Sequence, residues 1–167
     1  MPRWWMHAFH TALILGAVCS PTPAQDSRLV LSSESTVPGG TVTLTLSLEA
    51  STAIAGLQWT FTYSPAQITS LSVTAGPAVL AAGKSISCAA SAGVYACLAT
   101  GMNVNPMTSG VIATVDVTVA SFTGFAQIRI AKALGATPGA DTVVISHDGP
   151  PIFRKEEPLK PHHHRSD

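Results

Sequence analysis

The side chains able to do chemistry are few. Between residues 27 and 149 the carboxylates are Glu34, Glu49, Asp116, Asp141 and Asp148, and near the far end stand His162, His163 and His164. Hydrolysing a glycosidic bond needs two carboxyl groups about 5 to 10 Å apart with separated pKa values. None of these five acids lies in a motif that suggests a partner. His147-Asp148 is an orienting pair by type, yet no Ser or Cys occupies a Gly-x-Ser-x-Gly elbow, so the pair is read as a surface turn. Neither a glycine-rich phosphate loop nor an oxygen-rich calcium loop is present. Three adjacent imidazoles in a proline-rich segment would hold a transition metal only loosely, without the fixed geometry of a built site. The expectation is a protein with no catalytic residue, no cofactor and no metal.

Cys88 and Cys97 offer one definite reaction, oxidation to a disulfide. Residues 84–89 and 94–100 have the composition of short strands. A two-residue turn at Ala92-Gly93 would pair 91 with 94 and, three pairs further out, 88 with 97. Counting outward, 88 and 97 form a non-hydrogen-bonded antiparallel pair, whose Cα atoms approach to about 4.5 Å. A cross-strand bridge fits that spacing. The alternatives are two free buried thiols, or a zinc site with only two sulfurs and no nearby histidine.

A disulfide needs an oxidising compartment, and the first residues point to one. Arg3 is followed by an apolar stretch over residues 8–19, shorter than the roughly 20 residues that span a bilayer. Thr22-Pro23-Ala24 places small residues where a signal peptidase reads them, which predicts cleavage between Ala24 and Gln25. Residues 1–24 are therefore expected to be a signal peptide of a secreted protein with no membrane span. The rival is lipidation at Cys19, but Gly16-Ala17-Val18-Cys19 lacks the Leu and the small residue of a usual lipobox.

These groups must be positioned by strands. The 167 residues are 46% apolar and 11% charged with zero formal net charge, and seven of the charges fall in residues 150–167. So sparse and balanced a body lacks a basic footprint for nucleic acid, and it is too apolar for a disordered chain. Period two dominates. Val42, Leu44, Leu46 and Leu48 alternate with Thr41, Thr43, Thr45, Ser47 and Glu49. Leu57, Trp59, Phe61 and Tyr63 alternate with Gln58, Thr60 and Thr62 until Ser64-Pro65. This commits Trp59, Phe61 and Tyr63 to the core. Further strands are expected at Leu29 and Leu31, over 68–74, over 111–119 with Val111, Ala113, Val115, Val117 and Val119 on one face, over 126–130 and over 142–146. No helical stripe is found. Eight or nine short strands broken by Gly and Pro predict an all-β sandwich. Four prolines and mixed charges predict a disordered tail over 150–167.

Three stretches together resemble the cohesin family. They are the Pro-Gly-Gly turn into the strand over 37–49, the run Ala55-Gly56-Leu57-Gln58-Trp59-Thr60-Phe61-Thr62-Tyr63-Ser64-Pro65, and Gly110-Val111-Ile112-Ala113-Thr114-Val115. The second is similar to the family's Gly-x-x-x-x-Phe-x-x-Tyr-Asp-Pro, with Ser64 in place of the Asp. The resemblance implies that residues 25–149 form a jelly-roll sandwich of about nine strands, related in fold to carbohydrate-binding modules. It further implies binding of dockerin domains in extracellular polysaccharide degradation. On that basis Gln58, Thr60 and Thr62, facing away from the core, are the expected partner-binding face, and a monomer is expected. A carbohydrate-binding module and a structural cell-envelope domain without discrete ligand are the alternatives. Sugars stack on rows of exposed aromatics, and the aromatics of this strand point inward, which favours a protein partner.

Overall fold

The strict alternation over Thr41–Glu49 can bury its leucines only against a second layer, and the chain supplies one. The computed structural model describes residues 26–121 and 125–147. In chain order the elements are β1 (Arg28–Leu31), β2 (Thr41–Glu49), β3 (Gly56–Tyr63), β4 (Ile68–Ala75), α1 (Pro77–Ala81), β5 (Ser85–Ser91), β6 (Val94–Thr100), β7 (Gly110–Val119), β8 (Ile128–Ala136), β9 (Thr142–Val144) and β10 (Ser146–His147). The first sheet has the order β10-β1-β2-β7-β4 and the second β5-β6-β3-β8-β9. All pairings are antiparallel except β1 with β10, which is parallel. The β-sandwich expected from the alternation is present.

Between the sheets lies one core. The first sheet contributes Leu29, Leu44, Leu46, Leu48, Val115 and Val117, and the second contributes Leu57, Trp59, Phe61, Ile128 and Ile130, all buried. Trp59 stands between Cys97 on β6 and Ala133 on β8, and these small neighbours leave room for the indole. Phe61 lies between Tyr95 and Ile130. Tyr63, at the end of β3, is only half-buried.

Four local expectations need correction. The first is a short helix that no stripe announced: Pro77 begins α1 with the φ a first helical turn requires, and Ala78 and Val79 are its buried residues. Secondly, β8 runs on to Ala136 rather than ending at 130. Its register shifts against β3 between Thr60 and Phe61, and the unpaired Ala131 throws the alternation out of phase. Thirdly, the strand expected over 142–146 is two strands in different sheets. β9 pairs with β8, the chain turns at buried Ile145, and β10 pairs with β1. His147 closes β10 and is not a turn residue. Fourthly, a bulge where β7 passes β2 leaves Ile112 buried and Val111 only half-buried, so the apolar face of β7 does not begin at Val111.

Cys88 and Cys97 are bridged across β5 and β6, with Cα atoms 4.1 Å apart. The pairing is the one that the Ala92-Gly93 turn sets, and Gly93 takes a positive φ of 73°, which glycine adopts without steric cost. Closing a loop with a sequence separation of 9 contributes on the order of 2 to 3 kcal/mol in the chain-entropy account. β5 is an edge strand, exposed along nearly its whole length, and the bridge fastens it to β6.

The signal segment 1–24, the cleavage point at Ala24 and Gln25, Cys19, Asp148 and the tail with His162, His163 and His164 lie outside the described residues.

Candidate protein-binding face

β3 occupies the middle of the second sheet, flanked by β6 and β8. Because its odd positions from Leu57 to Phe61 are buried, Gln58, Thr60 and Thr62 point out of the sandwich. The pairing registers place their outward neighbours. Gln58 lies between Leu134 of β8 and Leu98 of β6, Thr60 between Lys132 and Ala96, and Thr62 between Arg129 and Val94. On the far side of β6, Leu98 faces Ser87, Ala96 faces Ala89 and Val94 faces Ser91. Across β8, Leu134 faces Val144 of β9.

The outcome is a face of aliphatic and short polar side chains with Lys132 and Arg129 on its β8 side, without a ring among its outward positions. A shallow groove of about 330 Å³ is lined by Gln58, Ser87, Ala89, Ala96, Leu98 and the disulfide pair. A second of about 330 Å³ lies at the other end, between Thr62, Gln67, Gln127 and Arg129. Arg129 donates from Nη2 to Oε1 of Gln127 at 3.0 Å. Sequence reasoning isolated the three β3 residues but missed Lys132, Leu134 and Leu98. Their exposure follows from which strands flank β3, and strand order is not written in any single segment.

Among the described residues Asp26 and Glu49 line one groove with Ala50, Ser51 and Ser109, and the other carboxylates stand apart. Glu49 pairs with Arg28 at 2.8 Å on the first sheet. Asp116 accepts a hydrogen bond from the Thr43 hydroxyl, also on the first sheet. Asp141 sits in the β8–β9 turn, its backbone N–H donating to Thr137 Oγ1 at 3.1 Å. Glu34 is exposed between β1 and β2. Among the described residues no group of three or more His, Cys, Asp or Glu is placed to hold a metal ion.

A charged group that the sequence did not flag is Lys84, 5% exposed. Its ammonium donates to the backbone oxygen and to Oδ1 of Asn103, each at 3.1 Å, while Asn103 Nδ2 donates to the carbonyl of Gly83 at 3.1 Å. With two of its three N–H donors used in this way, Lys84 ties the segment after α1 to the β6–β7 loop.

The family model described as "Cohesin domain" matches residues 27–148, most of the chain. The chain belongs to the cohesin domain family. No curated protein sequence matches this cohesin domain. Solved structures do. The sixth cohesin of scaffoldin B from Acetivibrio cellulolyticus, in complex with a mutant Cel5 dockerin, is 19% identical, covers 79% of this chain and 100% of that one, and superposes with a TM-score of 0.66. A cohesin–dockerin complex from Clostridium thermocellum gives 15%, 79%, 100% and 0.68. A non-cellulosomal cohesin from the archaeon Archaeoglobus fulgidus gives 12%, 86%, 100% and 0.65. At these identities the likeness speaks for the fold, and the jelly-roll architecture implied by the resemblance is that of a cohesin domain.

Proposed function

We propose that this cohesin domain is a binding module, not an enzyme, that recognises a dockerin-type protein domain in extracellular polysaccharide breakdown. Its partner docks on the outer face of β8, β3 and β6, centred on Gln58, Thr60 and Thr62. The observation that carries the reading is the character of that face. It lies at the middle of a sheet, joins the short side chains of β3 to exposed Leu98 on β6 and Leu134 and Lys132 on β8, and presents no aromatic platform for a sugar. Among the described residues the aromatic ring with large exposure is Phe125, in the segment that leads into β8 and not at an outward position of β3, β6 or β8. Dockerins are bound in two of the similar solved structures. A face of this kind can meet a helix over the roughly 800 Å² per partner of a standard interface.

Introducing bulk at its centre tests the reading. Thr60→Tyr combined with Thr62→Tyr keeps residues that suit a strand. Thermal unfolding should hardly change. Binding to a panel of purified dockerin domains, measured by calorimetry, should fall at least about 100-fold for every dockerin that the wild type binds, the loss typical of a hot spot. Unchanged binding would move the site off this face, and a wild type that binds no dockerin would overturn the partner class.

The same reading assigns residues 1–24 to export, 25–149 to the folded module and 150–167 to a tail. The intact mass of the exported product is expected to correspond to a chain that begins at Gln25. A diacylglycerol on Cys19 or a retained leader would sink that assignment.

A further inference from the structure

The face around β3 carries more information than its flatness. One row of outward residues runs in register across four strands, Val144 on β9, Leu134 on β8, Gln58 on β3 and Leu98 on β6. The three apolar members are 75%, 45% and 43% exposed. On the same face stand Lys132, two residues along β8 from Leu134, and Arg129, at the far end of the face opposite Thr62, both exposed. No carboxylate occupies an outward position of β3, β5, β6, β8 or β9. Among the described residues the salt bridge formed is Arg28–Glu49, on the opposite sheet, so neither Lys132 nor Arg129 has an acidic partner there.

We propose, resting on the dockerin-type reading above, that the partner element is an acidic amphipathic helix laid across these strands, its apolar stripe on the Val144–Leu134–Gln58–Leu98 row and its carboxylates toward Lys132, with Arg129 further along the face adding to the positive potential that steers an acidic partner. Spacing supports this occupant. Neighbouring strands lie about 4.8 Å apart, so the four side chains are spread over about 14 Å in steps of about 4.8 Å. A helix rising about 1.5 Å per residue meets those steps at positions i, i+3, i+7 and i+10, which is the spacing of one apolar stripe. The third of these positions falls over Gln58 and calls for a hydrogen-bonding residue. Lys132 is two residues along β8 from Leu134, or about 7 Å to the side, where the flank of a helix 10 to 12 Å wide would pass. An acidic flank there gains charge-assisted contacts and a faster encounter, while a basic flank is repelled.

The test uses the full chain and the same dockerin panel, with each dockerin classified by the charge beside its apolar helix stripe. Wild-type protein should bind the acidic-flanked dockerins most tightly, and binding should weaken as salt rises from about 0.05 to 0.5 M, where the screening length shortens severalfold. Lys132→Glu with Arg129→Glu should weaken those same dockerins at least tenfold at low salt and remove or invert the salt dependence. Lys132→Gln with Arg129→Gln, which adds no charge, should give an intermediate loss and serves if the reversal impairs folding. Leu98→Ala with Leu134→Ala should weaken binding but leave the salt dependence intact. Equal binding of acidic-flanked and basic-flanked dockerins, or reversal variants that bind like the wild type, overturns the charge assignment while the dockerin reading stands. Binding of no dockerin by the wild type overturns both.

Discussion

Trp59→Ala is expected to destabilise the domain by about 3 to 5 kcal/mol, because the largest side chain of the core is fully buried and its neighbours cannot all move in. Cys97 is tied by its bridge to Cys88, and Ala133 is too short to reach across. Denaturant unfolding should show the midpoint falling with little change in slope. Trp59→Phe sharpens the comparison. The indole Nε1 is buried without a hydrogen-bond partner among the described residues, and such an unmet donor costs about 1 to 3 kcal/mol. Phenylalanine keeps most of the ring and discards that donor, so its net loss should be far smaller than that of alanine. A Phe variant as unstable as the Ala variant would show that volume alone does not explain this position.

Gly76→Ala should be nearly as damaging, about 3 kcal/mol, at the upper end of what overpacking costs. Gly76 precedes α1 and donates its N–H to the carbonyl of Ile112 at 2.8 Å. A β-carbon there would stand 2.6 Å from the oxygen of Val111 and 2.8 Å from the carbonyl carbon of Ile112, both backbone atoms of the β7 bulge. Neither can swing aside as a flexible side chain would. Gly139→Ala is the control: its nearest neighbours, at 3.4 and 3.7 Å, are side-chain oxygens of Asp141 and Thr137, and its effect should stay within about 0.5 kcal/mol. Equal midpoints for the two variants would refute the close approach at α1.

Which parts were legible follows from what local pattern encodes. β2 alternates without interruption, one face covered and one wet, so its residues suffice to define it. The 88–97 bridge was legible because a two-residue turn sets every pair beyond it. α1 has only five residues, too few for a periodic stripe to emerge. The second half of β8 was hidden by Ala131, since one bulged residue moves later side chains to the other face. Thr142 to His147 kept an apolar residue at Val143 and Ile145 whether the chain went straight or changed sheets, so alternation could not reveal the crossing. The candidate face divides in the same way. Gln58, Thr60 and Thr62 follow from the period of β3 alone. Lys132, Leu134 and Leu98 join them only through β8 and β6, segments that lie far apart in the chain.

The parallel contact of β1 with β10 has a kinetic consequence. Ser146 donates its backbone N–H to the carbonyl of Ser27 at 3.0 Å, joining segments 119 residues apart. Such a pair is made late, because the entropy of closing so long a loop is lost before the contact returns anything. The β5–β6 hairpin, by contrast, closes over two turn residues and can form within microseconds of its synthesis. The first sheet therefore waits for its last strand, and until β10 arrives β1 presents an unpaired edge open to wrong neighbours.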